Sequence, residues 1–515
     1  NIKLDGQSDV KLKVNCGLKE LLDALTKFQF NQANLKGNIA INRFAINMSD
    51  TILATAPRFQ LAVTLPASRQ INGRKGAYVA IDTRQLQAQV GKKINAELTD
   101  LKLNATADNI KGGLNGILAN ADLTVSALTA DYDTVHLDTK QAHIVATTTP
   151  QSTKNLQAHV IFDSKTLTAY TGKAYHFTAS DFDIDIVARQ DKSKKDVLNQ
   201  WNPTANFNLK NAEVHVAKTN NDFVIPTIDF LFNPEELNIR ESAVRIGQSD
   251  MSLKGRITGI NEWMEDHNQL VKGNLELSSQ FLNIDEIMAL TSGLGRSSDS
   301  TQIAAEESDK EDNPFMVPET VDFTFDINSK SAIYGNFDLH DLGGQLTVKD
   351  GTLVLNQIGF TNKAAEMQLT AIYQSPRKNH LFLGMDFHLL DVQINDLISM
   401  IPVIDTLVPM LKTFDGNGEF HITAQTNLKS NYEPKISTLR AAADIEGQNL
   451  YVRDTASFTK TTNMLKISTN GEFKIDSLDV QLTVFRNEID LYPFLISIGK
   501  YKAVASGRHN LDMSC

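Results

Sequence analysis

Asp181, Asp183 and Asp185 alternate with apolar residues in Asp181-Phe182-Asp183-Ile184-Asp185-Ile186, a spacing that sets three carboxylates on one face of a strand. Carboxylate oxygens are the donors a hard cation takes, but the loop that an EF-hand needs is missing here, so a wet acidic face competes with a metal site. The eleven histidines include neither HExxH nor an HxH pair. His136, His143, His159, His176 and His215 are scattered through alternating segments, as ordinary strand residues are. GxSxG, a phosphate-binding Walker loop and a GxGxxG leading into a helix are all missing, and Gly112-Gly113 and Gly343-Gly344 suit turns or bulges. The two cysteines, Cys16 and Cys515, stand near opposite ends, which excludes disulfide scaffolds, CxxC redox pairs and cysteine zinc sites. The sequence therefore carries no recognisable catalytic, metal or cofactor signature, and a non-enzymatic protein without a cofactor is the expectation.

The elements that would position any site have a period of two. Phe182 to Ile186, Val321 to Ile327 and Leu478 to Val484 each alternate apolar with polar residues, reading as strands wet on one face and apolar on the other. Asp350-Gly351 is a two-residue type I′ turn signal; folding about it sets Val348 opposite Leu353 and Leu346 opposite Leu355. At Asn470-Gly471 a three-residue loop, Thr469 to Gly471, opposes Ile467 to Phe473 and Leu465 to Ile475, whereas a two-residue turn would oppose Ser468 to Phe473. Leu478, Val480, Leu482 and Val484 are placed on a neighbouring strand.

Helical signals are short. Leu18, Leu21, Leu22, Leu25 and Phe28 follow the spacing of one amphipathic helix, within 17–29, read as a packed cap rather than a membrane-surface helix. Others are expected near Asn283, where Glu286 completes a capping-box spacing, near Asn395, and near Asp490 with Pro493 in its first turn. Ile394 to Phe414 is the most apolar stretch, interrupted by Pro402, Asp405 and Pro409 as a broken helix would be. Leu282 to Leu290 parallels Val392 to Met400, and Asp250 to Leu253 parallels Glu366 to Leu369, which suggests a reused unit of strands plus a helix.

With 41% apolar and 22% charged residues the chain can fold around a core, and a net charge of −11 lacks the basic footprint of nucleic-acid binding. No stretch has the length of a spanning helix and no signal peptide stands at the start; beginning at Asn1, the sequence reads as a piece whose export signal or anchor lies upstream. Four segments are expected: 1–204, an N-terminal β-groove segment; 205–295, a groove repeat ending in a short helix; 296–316, an acidic flexible loop; and 317–515, a C-terminal groove region.

The run Leu383-Gly384-Met385-Asp386-Phe387-His388-Leu389-Leu390-Asp391-Val392-Gln393-Ile394-Asn395-Asp396-Leu397, followed by Phe414-Asp415-Gly416-Asn417-Gly418-Glu419-Phe420, resembles the C-terminal region of the AsmA-like envelope proteins. The closing run Val484 to Tyr501 is similar to versions of that region in Bacteroidetes-type bacteria, and the resemblance extends over roughly Ala205 to Cys515. It implies a mainly β fold, a long twisted open antiparallel sheet curved into a hydrophobic groove with a few short capping helices. It also implies a periplasmic protein hung from the inner membrane, carrying phospholipid or another diacyl lipid towards the outer membrane and a partner there. Leu346, Val348, Leu353, Leu355, Leu465, Ile467, Phe473, Ile475, Leu478, Val480, Leu482 and Val484 are the expected groove residues. The alternative is a stacked β-sandwich surface or scaffold protein in which these twelve fill closed cores.

Overall fold

Half-apolar, half-polar strands need a partner sheet edge for their backbone and a dry neighbour for one face; in this chain the first need is met by a meander. The computed structural model describes residues 2–510 apart from 27–32, 49–51, 67–69, 72–73, 92, 109–117, 152–154, 173, 194–199, 218–220, 292–313, 401–413, 453–473 and 499–500. It is mainly β and divides into two units, Asn1–Gly247 and Gln248–Cys515. The boundary expected at 204/205 falls inside a strand.

The first unit contains β1 (Ile2–Val14), α1 (Leu18–Thr26), β2 (Leu35–Met48), β3 (Ile52–Leu65), the small pair β4 (Gln70–Ile71) and β5 (Arg74–Lys75), β6 (Ala77–Val90) and β7 (Ile94–Ala107). It continues through β8 (Ala119–Tyr132), β9 (Val135–Pro150), β10 (Leu156–Thr171), β11 (Tyr175–Gln190), β12 (Trp201–Val216), β13 (Asn221–Phe232) and β14 (Glu236–Ile246). Leaving aside β4 and β5, each strand pairs antiparallel with the next along the chain from β1 to β14.

The second unit comprises β15 (Ser249–Thr258), α2 (Ile260–Glu265), β16 (Val271–Ser279), β17 (Leu282–Asn283), α3 (Ile284–Thr291), β18 (Val321–Tyr334), β19 (Phe337–Lys349), β20 (Thr352–Thr361) and β21 (Glu366–Arg377). After these come β22 (His380–Gln393), α4 (Ile394–Met400), β23 (Phe414–Leu428), β24 (Arg440–Val452), β25 (Lys474–Phe485), β26 (Glu488–Ile498) and β27 (Tyr501–Asn510). Its sheet departs from the all-antiparallel expectation at β18, which pairs parallel with β16, Val271 with Val321 through Ser279 with Ser329, and with β17, Leu282 with Ala332. Parallel neighbours require a long crossover, and residues 280–320 supply it.

Asn283 caps α3 as its spacing predicts, its Oδ1 accepting from the Glu286 N–H at 3.2 Å. The Glu286 carboxylate, instead of closing the box, accepts from the Gln248 N–H at 3.1 Å. Ile284 and Ile287 of α3 pack on Leu282, Ala332, Leu339, Leu342 and Ile358, and Leu397 of α4 packs on Met367, Leu389, Val392 and Phe420. After the crossover the chain is pinned across strand ends: the Phe315 N–H donates to Tyr432 Oη at 2.7 Å, Tyr373 Oη donates to the Phe315 carbonyl at 2.8 Å, and the Val317 N–H donates to Ser375 Oγ at 2.7 Å.

The helix expected near Asp490 is a strand. Ile489 pairs with Val484 and Leu491 with Leu482 across a turn in which Arg486 takes φ 60°. Pro493, read as a helix-starting residue, sits where the ladder to β27 skips from Leu491 to Phe494, so its missing N–H costs no strand hydrogen bond.

Candidate functional site: an apolar face broken by a line of bulges

Strands in the first unit are interrupted near their middles. The β6–β7 ladder passes from Thr83 with Leu101 to Gln85 with Thr99, leaving Arg84 opposite Asp100. In the same way Ser126 is left opposite Gln141, Lys165 opposite Asp181, and Asn211 opposite Pro226. Asp100, Gln141, Asp181 and Asn211 all adopt positive φ, between 48° and 53°. Arg43, at φ 57°, is left opposite Pro57 in the β2–β3 ladder. Proline suits such a gap because it has no N–H to donate.

At each interruption the two skipped residues face each other and the register is the same on both sides, so both strands switch parity together and inward side chains flank the interruption at i and i+3 instead of i and i+2. Ala179 and Phe182, Leu209 and Ala212, and Thr139 and Ala142 are such pairs, and all six are buried. Both arms of each strand therefore present apolar residues to one face. Leu98, Leu128 and Leu167 from one arm line the same depression as Leu123, Ile144 and Phe162 from the other, with Thr139 its one polar lining residue.

Cross-strand registers make the apolar rows continuous. Val10, Ile39, Leu61, Ile81, Leu103 and Leu123 stand opposite one another in turn from β1 to β8. The row goes on through Ile144, Phe162, Ile184, Phe207, Phe230 and Ile239 to β14. Val10 is 49% exposed and every other member is half-buried, none of them sealed. The Phe207 ring stacks on Phe230 at 4.6 Å and meets Phe182 edge-on at 5.4 Å, which organises the face without covering it.

In the second unit the predicted hairpin is present: Asp350 and Gly351 take φ 48° and 70°, Val348 pairs with Leu353, and Leu346 pairs with Leu355. These four are half-buried and share a face. Leu478, Val480, Leu482 and Val484 face Gly447, Ile445, Ala443 and Ala441 of β24. They lie on the same strand as Ile475, correcting the expectation of a neighbouring one, because Lys474–Phe485 runs on past a gap at Asn449 and Asp476. Ile475 is 1% exposed among Ile394, Leu450 and Val452, so it is core; Val480 is also buried, while Leu478, Leu482 and Val484 are half-buried. Leu465, Ile467 and Phe473, with the Asn470-Gly471 loop, lie outside the described residues, as does most of 296–316.

The opposite face of the first unit is polar. His143 lies 3.2 Å from both Asp122 and Asp163, and His159 lies 2.8 Å from Asp185. Asp181, Asp183 and Asp185 are not gathered around a cation position: Asp181, at the bulge, pairs with Lys165, Asp183 stands opposite Asp163, and Asp185 meets His159. The hydrogen bond from Lys165 holds the Asp181 carboxyl below its ordinary pKa against the opposing effect of burial.

Sequence alternation found the strands but not this line of interruptions; Gly343-Gly344, read as a turn or bulge, does sit at a register shift between β19 and β20, and Gly112-Gly113 lies outside the described residues. The signal was present as apolar residues three apart within otherwise alternating runs, such as Leu98 and Leu101 or Leu339 and Leu342. α1, expected as a packed cap, leaves Leu18 74% and Leu22 51% exposed. Phe28 lies outside the described residues. No helix among the described residues is long and apolar enough to cross a membrane. No family model matches the chain, and neither does any curated protein or solved structure.

Proposed function

We propose that the protein is a non-enzymatic, lipid-binding β-groove protein that holds or moves phospholipid acyl chains in the bacterial envelope, between inner and outer membrane. One observation carries the reading: the row from Val10 to Ile239 is apolar at every strand, yet each member keeps solvent exposure. A closed sandwich would seal such residues against a second sheet. A diacyl lipid has roughly 30 methylenes, and at about 0.8 kcal/mol each its passage through water costs on the order of 20 kcal/mol. An apolar row lowers that cost with a similar attraction at each strand, and directionless contacts with Leu, Ile and Phe leave the cargo free to slide. The polar reverse face keeps the other side wet. The resemblance to AsmA-like proteins supports the periplasmic setting and anchoring in the inner membrane.

The test is native mass spectrometry and lipid extraction on the chain purified from a bacterial host without detergent. Several bound phospholipids of mixed head group are expected. A folded chain that carries no lipid, and takes up none from vesicles, sinks the reading in favour of a scaffold.

A further inference from the structure

On the second unit, β22 and β23 bring two imidazoles and a carboxylate together. Asp386 and His388 are two residues apart on β22, and His421 of β23 stands directly opposite His388. Asp386 Oδ1 lies 2.9 Å from His388 Nε2 and 3.2 Å from His421 Nε2, and the two rings stack with centroids 3.9 Å apart and planes 15° from parallel. One ligand atom from each residue lies within 4.8 Å of the others. All three are partly buried and lie on the face opposite Met385 and Phe387.

We propose that Asp386, His388 and His421 bind a divalent transition metal, Zn²⁺ by ligand chemistry. Bonds of 2.0–2.1 Å at tetrahedral angles set zinc ligand atoms about 3.3 Å apart. The Asp386–His421 distance of 3.2 Å is close to that value and the Asp386–His388 distance of 2.9 Å is a few tenths of an ångström shorter, so the imidazole nitrogens need a rotation about their side-chain bonds, within reach of partly exposed rings. Two imidazoles with one carboxylate are a donor set that favours zinc over Ca²⁺ or Mg²⁺, which take oxygen. A fourth position is left for water or for Asp444, which stands opposite His421 on β24. The other His–Asp contacts, His136 with Asp131, His143 with Asp122 and Asp163, His159 with Asp185 and His215 with Asp222, each offer one imidazole, and no other metal-ligating group of three is found among the described residues. The metal would clamp β22 to β23 from the polar side, leaving the apolar side to its own occupant.

Zn²⁺ is titrated into the full chain by calorimetry, beside His388→Gln, His421→Gln and a control, His143→Gln, in the first unit. One tight equivalent is expected, weakened at least tenfold by either ligand substitution and unchanged by the control. Absence of saturable binding at micromolar Zn²⁺, or an affinity in His388→Gln and His421→Gln unchanged from the parent chain, overturns the site. Should either variant fail to fold, Co²⁺ substitution in the unmodified chain decides: X-ray absorption fitting two imidazoles and oxygen supports the assignment, and an all-oxygen shell refutes it.

Discussion

Thr139 Oγ1 and Ser164 Oγ lie 2.7 Å apart on adjacent strands, both side chains buried within an otherwise apolar face. Ser164 Oγ also donates to the Thr166 carbonyl two residues on, and Thr83 Oγ1 and Ser329 Oγ do the same to Gln85 and Ser331. Each hydroxyl takes up a carbonyl that the interrupted ladder strands, so these residues belong to the interruptions.

The bulge backbone can be probed by opposite substitutions at Gln141, whose φ of 53° a side chain adopts at a cost. Gln141→Gly is expected to stabilise the first unit by roughly 0.5–1 kcal/mol and Gln141→Val to destabilise it by about 1–2 kcal/mol, because β-branching is worst tolerated there. Urea denaturation measures both. Two effects of the same sign would mean that strain at this position is not what matters.

Much of this fold was legible from alternation and turn chemistry, as the Val348 and Leu353 pair about Asp350-Gly351 illustrates. What escaped was non-local. Ile489-Asp490-Leu491 matches strand and helix-start patterns alike, and only pairing with Leu482 and Val484 decides between them. The His388 and His421 pair lies 33 residues apart in sequence and becomes a site only through register. Whether an apolar residue ends in the core is likewise non-local: Ile394 of α4 packs with Ile475, Leu450 and Val452 and leaves Ile475 1% exposed, whereas Leu346 is half-buried.

Leu18 and Leu22 test the exposed side of α1. Since both project into solvent, Leu18→Ser with Leu22→Ser is expected to move the stability of the first unit by no more than about 0.5 kcal/mol. A loss of several degrees in melting temperature would restore the packed cap.

Phe207 and Leu209 lie two residues apart on one face of β12, the first half-buried and the second 3% exposed. Leu209→Asp is expected to cost several kcal/mol, as a buried unpaired charge does, and Phe207→Asp about 1–2 kcal/mol with loss of bound lipid. Thermal melts and lipid extraction on the same samples separate the two. Equal destabilisation by both would argue for a sealed core.

Asp250 gives the second unit a calculable response to pH. Its Oδ1 accepts from the Phe281 N–H at 2.8 Å, the Gln280 N–H at 3.0 Å and Ser279 Oγ at 3.1 Å, fastening the start of β15 to the turn between β16 and β17. Burial alone would raise this carboxyl, but the three donors together outweigh it and hold the pKa below its ordinary value. A carboxylate with a lowered folded pKa stabilises the fold above its unfolded value of about 3.9, and that contribution disappears as pH falls through the folded pKa. Asp250→Asn keeps an acceptor and removes the charge. It should therefore cost about 1 kcal/mol at neutral pH after allowance for solvent screening, with the difference from the parent narrowing below about pH 4. Denaturant melts at pH 7 and pH 3 measure it, and a difference that stays constant between them would show that the charge on Asp250 contributes nothing.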